Sequence, residues 1–318
     1  MQVGIHIRAQ GWLTERTKLM AVAQRAEALG YAHIGLVDHL VLPRDVETRY
    51  PYTEDGVWPG TPTGECFDLL ASMCFLAACT ERIRLLSSVM VVPHRPAVTA
   101  AKMLATADVL SGGRVIAGVG AGWMREEFEA LGALPFDERG VVTDEYLAVF
   151  RMLWEQETPQ YQGRYVTFEN VIFRPQPLQK RLPIWVGGES GPALRRTVRF
   201  GDAWYPVSNN QQILLDTPER MKAGIERLAR AAEKERRDPA SIDIAYLWFK
   251  PVSWTEQVGP DKRRVPFTGS SAQMTEDADG LRRVGVKHLV VLLAGPSFEE
   301  TMDRMQRFAE EVMSALRA

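Results

Sequence analysis

The stretch Val3-Gly4-Ile5-His6-Ile7-Arg8-Ala9-Gln10-Gly11 decides between two ways of building an α/β protein. Its first five residues are rich in β-branched side chains, which predicts a strand. Polar residues follow, Thr14 suits an N-cap, and Leu19, Val22, Ala23, Ala26 and Leu29 recur at helical spacing before Gly30 stops the run. A doubly wound dinucleotide-binding sheet needs Gly-x-Gly-x-x-Gly between that strand and that helix, so that backbone can approach a pyrophosphate. Arg8-Ala9-Gln10-Gly11 does not supply it.

The same strand-then-helix alternation continues outward from this point. Strands are predicted at 33–37, 83–92, 115–119, 184–186, 203–207, 242–249 and 289–293, with Pro93 halting the third. Helices are predicted between nearly all of them, and a surface hairpin at 163–168. None of the strands alternates cleanly between apolar and polar, as strands buried on both faces do in parallel sheets. Eight βα units in 318 residues predict one domain, 1–318, folded as a TIM (β/α)₈ barrel with loop insertions. The segments 40–64 and 254–271 are the insertions. The first holds Pro43, Pro51, Pro59 and Pro62 without a periodic face, and long irregular loops in compact domains usually serve function.

A net charge of −2 without a long basic run argues against nucleic acid and anionic membranes as partners. Cys66, Cys74 and Cys79 match neither a CxxC nor a zinc-knuckle spacing, so they are expected to be reduced core residues. No apolar run reaches membrane-spanning length and the first residues lack a signal-like apolar stretch, so a cytoplasmic location is expected.

In such a barrel the chemistry sits at the carboxyl ends of the strands. Asp38-His39 ends the second, and a carboxylate beside an imidazole can position a proton donor or acceptor near neutral pH. His6 and His94 also lie near strand ends, but no HxH or HExxH spacing supports a metal. Gly187-Gly188-Glu189-Ser190-Gly191-Pro192 joins a strand to a helix, with Arg195 and Arg199 beyond it. Glycine N–H groups, the Ser190 hydroxyl and the helix N-terminus suit a phosphate, although a tight turn with a capping serine reads the same way. Gly118-Val119-Gly120-Ala121-Gly122 suits either a flat ring against backbone or tight barrel packing. Trp123, Trp204 and Tyr205 could wall a pocket.

Together these residues resemble the bacterial luciferase-like family, in its F420-dependent oxidoreductase branch. The resemblance runs from Val3 to about Val312. It rests on Gly35-Leu36-Val37-Asp38-His39, on Ser87 to Pro93 with Arg95-Pro96-Ala97, on Leu110 to Arg114, and on Gly118 to Trp123. Glu126-Glu127-Phe128 with Leu131-Gly132, Pro183 to Gly188, and Gly201-Asp202-Ala203-Trp204 complete it.

The resemblance implies a cofactor ring at the carboxyl face and its phosphate beside the fifth and sixth strands. It also implies a non-proline cis peptide at Ser88-Val89 that bulges against the ring. By the same resemblance Asp38, Ser88, Val89, Ala121, Gly122, Trp123, Gly187, Gly188, Ser190, Gly191 and Arg195 would bind cofactor, with Asp38 on the ring. His39 would be the catalytic proton donor or acceptor. Trp123 stands where the sugar-phosphate dehydrogenase members carry a glutamate, which argues against that substrate class. The implied reaction is hydride transfer between F420 and a small organic substrate. The alternatives are an FMN-dependent monooxygenase that activates O₂ and a non-catalytic flavin carrier. A homodimer is implied as well.

Overall fold

The computed structural model describes residues 1–8, 10–60, 64–259 and 261–317. Ala9 of the opening stretch, Pro62 of the 40–64 segment, Pro260 of the 254–271 segment and the terminal Ala318 lie outside the described residues.

Among those residues eight parallel strands close on themselves: β1 (Gln2–Ile7), β2 (His33–Leu36), β3 (Arg84–Ser87), β4 (Val115–Gly120), β5 (Ile184–Gly187), β6 (Ala203–Tyr205), β7 (Asp243–Pro251) and β8 (His288–Leu292). Each strand pairs with its neighbours in sequence, and β1 also pairs with β8, setting Val3 opposite Leu289. Pairing of β3 with β4, Leu86 opposite Ile116, removes the last free edge. The protein is a TIM barrel, with all strand C-termini on one rim.

The register explains the missing alternation. Leu86, Ile116, Trp185, Tyr205, Leu247 and Val290 fill the barrel interior, while their strand neighbours Leu85, Val115, Ile184, Trp204, Tyr246 and Leu289 pack against the helices. Successive side chains point to opposite faces, and here both faces are dry.

The helices that frame the rim are α1 (Arg16–Ala28), α2 (Leu69–Cys79), α3 (Ala97–Leu110), α4 (Arg125–Ala130), α5 (Arg139–Glu155), α6 (Gly191–Phe200) and α7 (Pro218–Lys234). The expected hairpin forms between Tyr161–Gln162 and Thr167–Phe168. No helix among the described residues is long and apolar enough to cross a membrane.

Two expectations need correction. The strand expected at 83–92 breaks after Ser87: the Ser88-Val89 peptide is cis, and pairing with β4 resumes only at Met90–Val91. Glycines of β4 leave room for residues 87–89. A Cβ on Gly118 would lie 1.9 Å from the Ser87 carbonyl oxygen, and one on Gly120 would lie 2.8 Å from Val89 Cγ2. The cysteines are free but only half-buried, not core. On α2 the buried arc is Leu69, Leu70, Ser72, Met73, Leu76 and Ala77, which leaves Cys74 and Cys79 at its edges.

Candidate active site

A cavity of about 320 Å³ opens at the carboxyl rim, a size suited to a small molecule. It brings together Asp38, His39, Ser88, Val89, Ala121, Gly122, Trp123, Gly187, Gly188 and Ser190. Gly191 and Arg195 are not on its wall; they border a groove on the outer side of α6.

The Ser88-Val89 bulge is held from below. Ser88 Oγ lies 3.0 Å from His6 Nδ1 and 2.9 Å from the Tyr205 hydroxyl, and Ser88 N–H donates to the Leu36 carbonyl. Burial, and then the nearby charge of Arg8, push the His6 pKa down to about 3, so this imidazole is neutral. Glycines clear the space around the bulge. A Cβ on Gly35 would come within 3.0 Å of Ser88 Cβ, and one on Gly187 within 3.3 Å of Val89 Cγ1. Gly118 and Gly120 therefore make room for residues 87–89, the tight-packing reading of that run, while Ala121 and Gly122 line the cavity.

Asp38 borders the cavity, but its carboxylate is already engaged. Oδ2 accepts from Val91 N–H at 2.9 Å and from Arg95 Nη1 at 2.8 Å, and Oδ1 accepts from Arg95 Nη2 at 2.8 Å. Arg95 also donates to Asp68, the N-cap of α2. This buried fork fixes the chain just beyond the bulge to the end of β2.

His39 is positioned by a residue from α4. Its Nδ1 lies 2.9 Å from Glu127 Oε2, and Glu127 Oε1 accepts from the N–H groups of Leu40 and Val41. Burial would raise the Glu127 carboxyl, but the hydrogen bond from His39, the two neighbouring imidazoles and the Leu40 N–H outweigh it and hold the group below its usual value. With Nδ1–H given to this carboxylate, Nε2 is the nitrogen left for a reacting group. Glu126 ties down the same loop by accepting from Glu47 and Thr48 N–H. His94, buried at the cavity wall, has no hydrogen-bond partner for either ring nitrogen among the described residues. Burial lowers its pKa against the opposing charges of Glu127 and Asp38.

At the β5 end, Ser190 caps α6 by accepting from Ala193 N–H, and Gly188 takes a φ of 101°. Arg139 and Arg196 complete this end of the cavity. Arg196 is held by Asp144 and the Gly140 carbonyl, and Arg139 by the carbonyls of Gly122 and Phe136. Helical phase separates Arg196 from Arg195. Successive residues turn by about 100°, which leaves Arg196 on the Ala193 flank and turns Arg195 and Arg199 outward. That phase is readable from Ala193, Leu194, Thr197 and Val198, the apolar and small residues that α6 buries.

The opposite wall is aromatic. Trp123, Tyr52 and Phe249 line it, and buried Tyr50 packs edge-on to both Tyr52 and Trp123 at centroid distances of 5.2 and 4.8 Å. Tyr205 faces the cavity, whereas Trp204 turns to the helical side and donates from its indole to the Gly188 carbonyl. Sequence reading missed Glu127 as the partner of His39, together with Arg139, Arg196, Tyr52 and Phe249. Phe249 closes a predicted strand and was open to the same strand-end rule as the rest. No group of three or more His, Cys, Asp or Glu residues among those described could hold a metal ion.

The profile of the family described as luciferase-like monooxygenase matches residues 1–311. The chain belongs to that family. An uncharacterized protein of Mycobacterium tuberculosis is 33% identical over 308 residues, covering 95% of this chain and 96% of the relative. An FMNH(2)-dependent dimethylsulfone monooxygenase of Pseudomonas putida is 35% identical over 138 residues, or 42% of this chain and 38% of that protein.

Among solved structures, an F420-dependent secondary alcohol dehydrogenase with an F420-acetone adduct has a TM-score of 0.75 at 18% identity, covering 98% of both chains. A long-chain alkane monooxygenase has a TM-score of 0.76 at 13% identity, covering 100% of this chain and 91% of that one. These structural likenesses show a shared fold. The luciferase-like family and its structural neighbours are oxidoreductases and monooxygenases, and the proteins compared include both F420-dependent and FMNH(2)-dependent ones.

Proposed function

We propose that this luciferase-like protein is an F420-dependent oxidoreductase that moves a hydride between the deazaflavin and a small organic substrate. The observation that carries the choice of F420 is a cationic path leading out of the cavity. Arg196 belongs both to the cavity and to an adjoining groove with Arg195, Arg199, Asp144 and Glu235. Arg195 belongs in turn to a second groove with Arg227, Arg230, Lys234 and Glu235 between α6 and α7. A single phosphate needs only the first cations, whereas a phosphate with a polyanionic tail suits the whole path.

The residues present fit a flat ring with a phosphate. Val89, backed by the glycine-lined space of Gly120 and Gly187, offers an apolar bulge for the ring, and the orphaned nitrogens of His94 offer polar contacts beside it. Ser190, Arg139 and Arg196 would hold the phosphate. The chemistry that bound F420 would supply is the donation or acceptance of a hydride. His39, oriented by Glu127, moves the matching proton at the substrate oxygen through Nε2. Asp38, saturated by Arg95 and Val91, positions the bulge and leaves ring contacts to its neighbours.

FMN is the second reading, favoured by the similarity to the dimethylsulfone monooxygenase over 138 residues. With FMN the reaction would be monooxygenation of an organic substrate with O₂. Titration of the purified protein with F420 and with FMN, followed by fluorescence, separates the two. F420 binding at least tenfold tighter than FMN is the expected result, and tight FMN binding without F420 binding overturns the proposal. A cytoplasmic homodimer completes the reading. Leu110, Ile172 and Leu178 leave apolar surface exposed for such contact, and light scattering measures the assembly.

A further inference from the structure

We propose that the substrate is a flat aromatic molecule carrying an acidic group, with its ring against the wall of Trp123, Tyr52 and Phe249 and its anion on Arg8. This assignment deepens the redox reading above and rests on it for the reaction, though not for binding.

Arg8 leaves the end of β1, four strands around the barrel from the phosphate end at β5. Its guanidinium lies over the Phe249 ring, 5.2 Å from the centroid, and Phe249 is part of the cavity wall. The other arginines at the rim each have a protein partner: Arg95 has Asp38 and Asp68, while Arg196, on Asp144, and Arg139, on main-chain carbonyls, belong to the phosphate end with their remaining donors. The Arg8 guanidinium has neither a carboxylate nor a hydrogen-bond acceptor among the described residues. Arg8 is not itself on the cavity wall and reaches its border through Phe249, so a ligand lying along that ring would meet a half-buried, stacked guanidinium whose planar fork matches a carboxylate in two hydrogen bonds.

The aromatic wall selects the rest of the ligand. Tyr52, Trp123 and Phe249 are each only half-buried, so they keep apolar surface free toward the cavity. Their arrangement is held from behind. Tyr50 meets Tyr52 and Trp123 edge-on, and Tyr52 meets Phe249 at 5.9 Å. Trp58 spans from His39, at 5.5 Å, to Trp123, at 6.1 Å, so the wall adjoins the proton-handling residue. Fixed ring faces and edges complement a flat π-system better than a flexible or branched chain.

The test is calorimetric titration of the full-length protein with 2-naphthoate, with the uncharged 2-naphthamide and with the saturated cyclohexanecarboxylate. Wild type should bind 2-naphthoate at least tenfold tighter than either of the others. Arg8→Gln should bring the naphthoate and naphthamide affinities within twofold of each other while leaving naphthamide binding unchanged. Arg8→Lys should keep most of the preference, and thermal melts check that each variant is folded. A preference that survives Arg8→Gln, or equal affinities in wild type, overturns the proposal. F420 and FMN titrations on the same samples keep the two readings apart. Naphthoate selectivity without binding of either cofactor sustains the substrate assignment and removes the redox one, and cofactor binding without selectivity does the reverse.

Discussion

His39 Nδ1 and Glu127 Oε2 meet at 2.9 Å although 88 positions separate them in the chain. The contact joins the end of β2 to α4, and the same carboxylate clamps Leu40 and Val41, the first residues of the loop that brings Tyr52 to the cavity wall. If His39 moves the proton, Glu127→Gln should lower turnover by about 10- to 100-fold, and His39→Ala by about 10²- to 10⁴-fold, with cofactor affinity kept in both. The double variant should lose little more than His39→Ala alone, because the carboxylate acts through the imidazole. Steady-state kinetics of the four proteins check this, and additive losses would separate Glu127 from His39.

Arg95 and Asp38 form a two-bond fork with the Asp38 side chain fully shielded from water and Arg95 only 8% exposed. Removing one partner strands a buried charge, which typically costs about 3–5 kcal/mol. Arg95→Leu should therefore lower unfolding free energy by about that amount, read from urea titration at neutral pH. A change under about 1 kcal/mol would mean that water replaces the guanidinium and that the pair does not brace the bulge.

Buried histidines set the acid limb of stability. In the unfolded chain an imidazole protonates near 6.5, whereas burial lowers His6 to about 3 and also lowers His33, His94 and His288. Below about pH 6.5 the unfolded chain thus binds more protons than the folded one. Stability falls as pH drops, by about 1.4 kcal/mol per pH unit for each such histidine until its folded pKa is reached. Above 6.5 the contribution is fully present and flat. Urea midpoints between pH 7.5 and 5 should decline below 6.5, in a window that precedes carboxylate protonation. A level midpoint over that range would show that these rings take up protons while the protein stays folded.

What could be read in advance followed the physics of each feature. Strand positions were legible because burial on both faces gives short, continuous apolar runs. The break after Ser87 was visible only through the family resemblance, since Gly118 and Gly120 reveal their purpose once β3 and β4 lie side by side. His39 was legible as a strand-end residue. Its partner Glu127 was not assigned, because the contact joins elements that only the closed barrel brings together. Tyr52 sits in an aperiodic loop, where no spacing rule assigns a direction.

Arg196 and Arg195 are consecutive, yet α6 turns one toward the cavity and the other toward the outer grooves. Arg196→Ala should weaken F420 and FMN alike, by about tenfold or more, because it removes a charged donor at the phosphate end. Arg195→Ala should leave FMN affinity within about twofold but weaken F420 by about three- to tenfold, with the loss shrinking at high salt as an exposed contact does. Fluorescence titration of both variants at two salt concentrations measures all of these values. If Arg195→Ala leaves F420 affinity untouched, the outer grooves do not carry the tail, and the case for F420 over FMN loses its main support.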